Sequence, residues 1–226
     1  MYQESYLLLY LCLFYILRFG RAACLMFKKF YNINMTIVLS SCGIIKPDFK
    51  NKVLALFNKP AGSVKLLYIT TAADGENGDK SWVDAEYKSI LALGILEDNI
   101  REYKISNERV DLTAFDAIYV LGGNTFYLMN KILEFGFDKQ IKNAIECGIL
   151  YIGSSAGSIV LGTTLKPAEV YGDIPIADKR NYEGLGIVDG AIIPHMNQKS
   201  DEYKAWLNTW DGKSYILYDG DGIIIQ

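Results

Sequence analysis

Four short apolar runs, each entering a turn rich in small residues, decide what this chain can become. They are Thr36–Ser40, Val64–Thr70, Ala117–Leu121 and Ile149–Ile152. Helix-like segments separate them: Lys50–Asn58, Ser81–Leu93, Thr125–Glu134 and Lys139–Cys147. A strand that is apolar throughout is buried on both faces, and strands alternating with helices build a parallel sheet covered on both sides. Asn99–Ile105 predicts one more strand, and Ala191–Pro194 and Tyr215–Tyr218 predict two later ones. The expected class is α/β, a mostly parallel sheet with helices on both faces. With no internal repeat, linker or low-complexity stretch, residues 35–226 read as a single domain.

Composition narrows the chemistry. Half of the 226 residues are hydrophobic, enough for a substantial core. The net charge is −3, and the first 34 residues hold one acidic and four basic side chains, leaving −6 on the remainder. An acidic body without a basic stripe argues against nucleic acid as a partner. The four cysteines are scattered, without zinc-ligand spacing or a dense disulfide pattern, so no metal or cofactor is expected and a cytoplasmic setting is the default. There is one histidine, His195, so any histidine-dependent mechanism must use it.

The first 34 residues stand apart. Tyr6–Leu17 is a run of twelve apolar residues closed by Arg18. That is short of the roughly 20 a spanning helix needs, and the early charge is Glu4 rather than the basic group of a signal peptide. Three readings stay open: a membrane or targeting segment, a core helix, and the favoured one, an extension outside the working domain. Membrane contact through 1–34 is not favoured, and oligomeric state is open.

The run Ile149–Ile152 enters Gly153-Ser154-Ser155-Ala156-Gly157, which fits G-x-S-x-G with Ser155 at its centre. A serine on a sharp strand-to-helix turn needs small neighbours, and the turn aims its hydroxyl out at the carboxyl end of the sheet. Alone, the pentapeptide is equally a small-residue helix entry. The run Ala117–Leu121 ends in Gly122-Gly123-Asn124, 32 residues before Ser155. Backbone N–H groups there, with that of Ala156, can form an oxyanion hole; the alternative is an ordinary turn with Asn124 at a helix start. His195 follows a short apolar strand and a proline, and is the one candidate base for a serine that is inert without one. The orienting acid is left among Asp173, Asp178, Asp219 and Asp221.

The motifs LGGNTFYLMN, YIGSSAGSIVLG, GDIPIAD and IIPHMNQ, in this order and spacing, resemble the dipeptidase E (aspartyl dipeptidase) family of serine peptidases, with cyanophycinase as a more distant relative. The resemblance covers about Met35 to Gln226. It implies a glutamine-amidotransferase-like (flavodoxin-like) fold with a nucleophile elbow, and hydrolysis of small peptides, including dipeptides with N-terminal Asp, through an acyl-enzyme. It implies Ser155 as nucleophile, His195 as base, Gly123 and Ala156 as oxyanion donors, Asp173 as a functional aspartate and Asp219 as the acid that orients the histidine. Gly122, Asn124 and Ser154 are expected at the substrate.

Three departures bear on specificity. The segment from Ser155 to Asp173 is longer than in the best-known members. Ser154 stands where many members carry an aromatic or bulky residue. The chain stops at Gln226, where relatives continue, so a truncated C-terminus is expected. Lys166 and Arg180 are the candidate cations for a substrate carboxylate, by location alone. Two rivals remain at this level: a non-catalytic binding protein on the same scaffold, and a related serine hydrolase acting on esters or other acidic peptides.

Overall fold

The structure, a computed structural model, describes residues 35–175 and 182–226. The N-terminal extension, Asp178 and Arg180 lie outside them. In chain order the elements begin with β1 (Ile37–Ser40), α1 (Pro47–Leu54), β2 (Leu66–Ile69), α2 (Ser81–Leu91) and β3 (Ile100–Tyr103). Next come β4 (Ala117–Val120), α3 (Thr125–Glu134), α4 (Phe137–Glu146), β5 (Leu150–Ser154), α5 (Ala156–Ile159) and α6 (Lys166–Tyr171). The chain closes with β6 (Ala191–Ile193), α7 (Ser200–Leu207), β7 (Ser214–Ile216) and β8 (Gly222–Ile225).

The main sheet has the order β3-β2-β4-β5-β1-β8. Its first five strands are parallel, and β8 runs antiparallel to β1 at the edge. Alternate residues of each central strand feed two separate cores. Ile37, Leu39, Ile118, Val120 and Tyr151 pack with α3 and α4 through Leu128, Ile132 and Ile141. Val38, Ala117, Tyr119, Leu150 and Ile152 pack on the other side with Phe49 and Val53 of α1 and Ile90 of α2. This is the physical content of the apolar runs: period-two strands that find apolar partners on both faces. The α/β class with a mostly parallel sheet, read from the sequence, is the observed one.

Differences from the sequence reading have local causes. The first helix starts at Pro47, three residues before the expected Lys50, because proline suits the first turn, where its missing N–H is no loss. Helices α6 and α7 were not anticipated; they are six and eight residues long and each buries only one or two side chains. The two late strands, β6 and β7, form a parallel pair detached from the main sheet. Among the described residues no helix is long and apolar enough to cross a membrane.

The connections that matter leave the carboxyl ends of β1, β4 and β5, three neighbours in the sheet. Ligands of open α/β sheets bind at that edge. There β5 turns into α5 so tightly that the backbone of Gly157 rests on the Val120 carbonyl of β4. A methyl group on Gly157 runs into that oxygen, and one on Gly153 sits 2.5 Å from the Gly157 carbonyl oxygen. Gly157→Ala is therefore expected to destabilise the protein by about 1–3 kcal/mol, the usual cost of forcing extra volume into a packed interior. Urea unfolding of the variant beside the wild type measures it, and an unchanged midpoint contradicts the packing described.

Candidate active site

Ser155 sits on this turn with φ 45° and ψ −109°, a conformation that L-residues rarely adopt. Such strain persists only where surrounding contacts over-determine it. Here the Ser155 N–H donates to the Ser40 carbonyl of β1 at 3.0 Å. The Ser158 hydroxyl lies 2.9 Å from the Ser40 carbonyl and 2.8 Å from that of Gly153, and accepts the Ser40 N–H at 3.1 Å. The elbow is thus stitched to β1 by two buried serines, neither of which the sequence reading had singled out.

The detached pair β6–β7 delivers the partners of Ser155. Ile193 and Ile216 are in register, and the ladder runs on through Leu217 N–H to Ile193 O at 2.8 Å and Met196 N–H to Leu217 O at 3.1 Å. His195 and Asp219 follow these strand ends and come together. His195 Nε2 lies 2.9 Å from Ser155 Oγ, and His195 Nδ1 lies 2.7 Å from Asp219 Oδ1. His195 also has a left-handed backbone, φ 56°. Its N–H donates to Ser41 Oγ at 2.7 Å, and the Ser41 hydroxyl in turn donates to Asp219 Oδ1 at 2.7 Å.

The charges follow from these contacts. Burial works against a charge on Asp219, but hydrogen bonds from Ser41, Gln198 and Asn197 and the attraction of His195 outweigh it and hold the carboxyl well below the usual carboxylate range. Asn197 Nδ2 and Gln198 Nε2 donate to Oδ2 at 2.9 and 2.6 Å. An ionised Asp219 can only accept, so Nδ1 of His195 carries the proton and Nε2 is left to accept from Ser155. Burial lowers the pKa of His195, with Asp219 pulling the other way, so the neutral imidazole is favoured. Tyr171 stacks on the ring, centroids 4.7 Å apart, and fixes its plane.

Opposite the serine, Gly123 adopts φ 126°, and a Cβ there falls 2.5 Å from the Ala72 carbonyl, so only glycine fits. Gly122 lies against the Ser155 side chain. Among the described residues the N–H groups of Gly123 and Ala156 meet no acceptor. A cavity of about 480 Å³ opens here, lined by Ser155, His195, Gly122, Gly123, Tyr171 and Asp173 among others. Cys42 also faces it; burial, with the nearby Asp219 charge, pushes its thiol up to about 11, so it is no rival thiolate nucleophile.

Other expected residues fall elsewhere. Asp173 is at the cavity, not on His195: its Oδ2 accepts the Thr125 N–H at 2.8 Å. Burial pushes its carboxyl up to about 6, against the hydrogen bonds from Thr125. Asn124 caps α3, accepting the Tyr127 N–H at 2.8 Å, and its amide donates to Ile174 O, so its side chain is taken up by backbone partners. Ser154 points into the protein and is fully buried; its hydroxyl accepts the Gly43 N–H at 3.1 Å and contacts Glu86 rather than the cavity. Asp221 pairs with Lys46 at the surface, and Lys166 pairs with Glu169 over the Tyr182 ring. Ser41, Asn197, Gln198, Tyr171 and Glu86 were missed as site residues, although the polar run SSCG after β1 and the NQ after His195 were in view. Among the described residues no cluster of acidic, cysteine and histidine side chains could hold a metal ion.

A hydroxyl within reach of a neutral imidazole, an anchored carboxylate and two free N–H donors form a constellation suited to acyl transfer. Comparison with known proteins agrees with the motifs. The family model for peptidase family S51 matches residues 36–225. The chain belongs to peptidase family S51. It is 34% identical over 119 residues to an uncharacterized peptidase of Listeria monocytogenes, covering 51% of this chain and 58% of the relative. To the peptidase E of Shewanella amazonensis it is 26% identical over 129 residues, 51% of this chain and 54% of the relative. The chain thus matches little more than half the length of these relatives. A crystal structure of a candidate peptidase E protein from Listeria monocytogenes superimposes with a TM-score of 0.66 at 27% identity, covering 84% of this chain and 93% of that one. A peptidase from an acI-B1 Actinobacterium shares the fold, with a TM-score of 0.59 at 19% identity over 86% of this chain and 84% of its own.

Ser41 holds both members of the His195–Asp219 pair at once. Ser41→Ala is expected to cost about 1–3 kcal/mol, because it leaves the buried His195 N–H without an acceptor and takes one of two donors from Asp219 Oδ1. Thermal unfolding of this S51 chain and its variant tests the role; equal midpoints contradict it.

Proposed function

We propose that the chain is a serine peptidase that hydrolyses small peptides through an acyl-enzyme on Ser155. The observation that carries the reading is the continuous line Ser155 Oγ–His195 Nε2, 2.9 Å, and His195 Nδ1–Asp219 Oδ1, 2.7 Å, beside two unpaired N–H donors. In this reading His195 Nε2 takes the hydroxyl proton as Ser155 attacks the scissile carbonyl. The N–H groups of Gly123 and Ala156 hold the developing oxyanion, and His195 returns the proton to the leaving amine. Water, deprotonated by the same imidazole, then releases the acyl group. Asp219 stabilises the imidazolium without taking a proton. A cavity of about 480 Å³ suits a peptide of a few residues.

Ser155→Ala is expected to lower kcat on a dipeptide panel by a factor on the order of 10⁶, and Asp219→Asn by roughly 10⁴. Hydrolysis at wild-type rate by Ser155→Ala sinks the assignment. A fluorophosphonate should label Ser155 in the wild type and fail to label His195→Ala.

The pH dependence has a definite sign. The base works only when neutral, so kcat/KM rises with pH through the pKa of His195. Burial lowers that pKa from its ordinary 6.5. The acid limb is therefore expected to have its midpoint below 6.5; a midpoint well above 7 contradicts the environment described for the imidazole.

A further inference from the structure

The cavity beside Ser155 is acidic. Three carboxyl side chains line it, those of Glu76, Glu86 and Asp173, and among the described residues its lining holds no lysine or arginine. Lys166, the described candidate for a substrate carboxylate, is engaged with Glu169. The resemblance to aspartyl dipeptidases leads one to expect a cation at the substrate's first side chain; the described lining offers the opposite charge.

Glu86 is the unusual member. It comes from α2, is 9% exposed, and no part of the proposed catalytic line touches it. Its Oε1 accepts the Tyr119 hydroxyl at 2.6 Å, and Ser154, whose hydroxyl accepts the Gly43 N–H at 3.1 Å, also hydrogen-bonds to it. Two hydroxyl donors leave room on a carboxylate for a further one. Burial pushes its pKa up, against the hydrogen bonds from Ser154 and Tyr119. A buried carboxylate without a counter-charge is costly, and an ammonium group brought by a ligand offsets that cost. Ser154 matters here for the same reason: its hydroxyl, at the position before the proposed nucleophile, reaches Glu86.

We propose that this cavity selects peptides whose amino-terminal residue is cationic and without a side-chain carboxylate, with Glu86 as the specificity-determining residue. The inference rests on the peptidase reading of Ser155. The recognised group is an ammonium, either the free α-amino group or a lysine-like side chain. An aspartyl side chain brings a further carboxylate among Glu76, Glu86 and Asp173, whose described surroundings offer it no counter-charge, and this disfavours the ligand.

The test uses the full-length protein and the dipeptides Lys-Ala, Leu-Ala and Asp-Ala, with Nα-acetyl-Lys-Ala as a fourth substrate. The expected kcat/KM for Lys-Ala and Leu-Ala exceeds that for Asp-Ala by roughly 10²-fold. Loss of cleavage on acetylation assigns the ammonium to the α-amino group; retained cleavage of the acetylated peptide assigns it to the side chain. Glu86→Gln, which keeps the shape, is expected to shrink the Lys-Ala to Asp-Ala ratio at least tenfold. Calorimetric binding of Lys-Ala and Asp-Ala to Ser155→Ala separates the two proposals, because it needs no turnover. Tighter binding of Lys-Ala there supports the cavity assignment even if the wild type cleaves nothing, which by itself defeats the peptidase reading alone. A wild type that prefers Asp-Ala, Ser155→Ala that binds Asp-Ala as well as Lys-Ala, or an unchanged ratio in a folded Glu86→Gln overturns the inference.

Discussion

The turn at Ser155 is the constraint on which the rest of the site depends. Its backbone is strained, and the strain is held by contacts that leave no slack. Gly157 lies on the Val120 carbonyl, Gly153 lies on the Gly157 carbonyl, and Ser158 ties both ends of the turn to Ser40. Each neighbour is small because the backbones approach too closely for a side chain. The same closeness puts Ser155 against Gly122 and brings the Ala156 N–H beside it. A relaxed turn would release the hydroxyl from His195 and separate the two N–H donors together. The geometry is therefore one object, set by the packing of β4, β5 and β1.

Three carboxyl groups near this turn obey opposite electrostatic rules. Asp219 has hydrogen-bond donors on both oxygens, so its folded-state pKa is depressed. It contributes stability above the unfolded carboxylate range, near 3.9, which is lost only as pH falls through the lower folded value. Asp173 and Glu86 are buried and have raised values. Each binds its proton more tightly in the folded state, so its contribution declines as pH rises from the unfolded range through its folded value, about 6 for Asp173. One carboxylate is thus kept charged by its neighbours, while two are held in surroundings that favour either a proton or an arriving cation.

The fold was legible because its signal is repeated. Apolar strands alternating with helices recur along the chain, and Thr125–Glu134 was delimited from sequence to the residue. Ser155, Gly123 and His195 were legible because rare features point to them: a small-residue turn, a glycine pair at a strand end and a single histidine. What escaped depends on distance in sequence. Ser41 lies 154 positions from His195 and 178 from Asp219, and a serine after a strand carries no mark of such partners. Short α6 carries Tyr171, and its stacking on His195 comes from the packing of α6 beside β6. The choice of Asp219 over Asp221 came from the family resemblance and not from the residues themselves, since the register of β6 against β7 decides which aspartate meets the imidazole.

Ser154 shows how one position links fold to specificity. The strand alternation of β5 turns its side chain inward, where it is fully buried, so it does not touch a substrate directly. Its hydroxyl instead joins the Gly43 N–H to Glu86, and Tyr119 reaches the same carboxyl from β4. A small polar residue there allows a carboxyl group to sit within the cavity wall. The residue adjacent to the proposed nucleophile thus bears on the cavity through the carboxyl group it holds behind it. Specificity and catalysis can then vary separately: the line through His195 to Asp219 leaves one side of Ser155, and the network through Ser154 to Glu86 leaves the other without sharing a side chain with it.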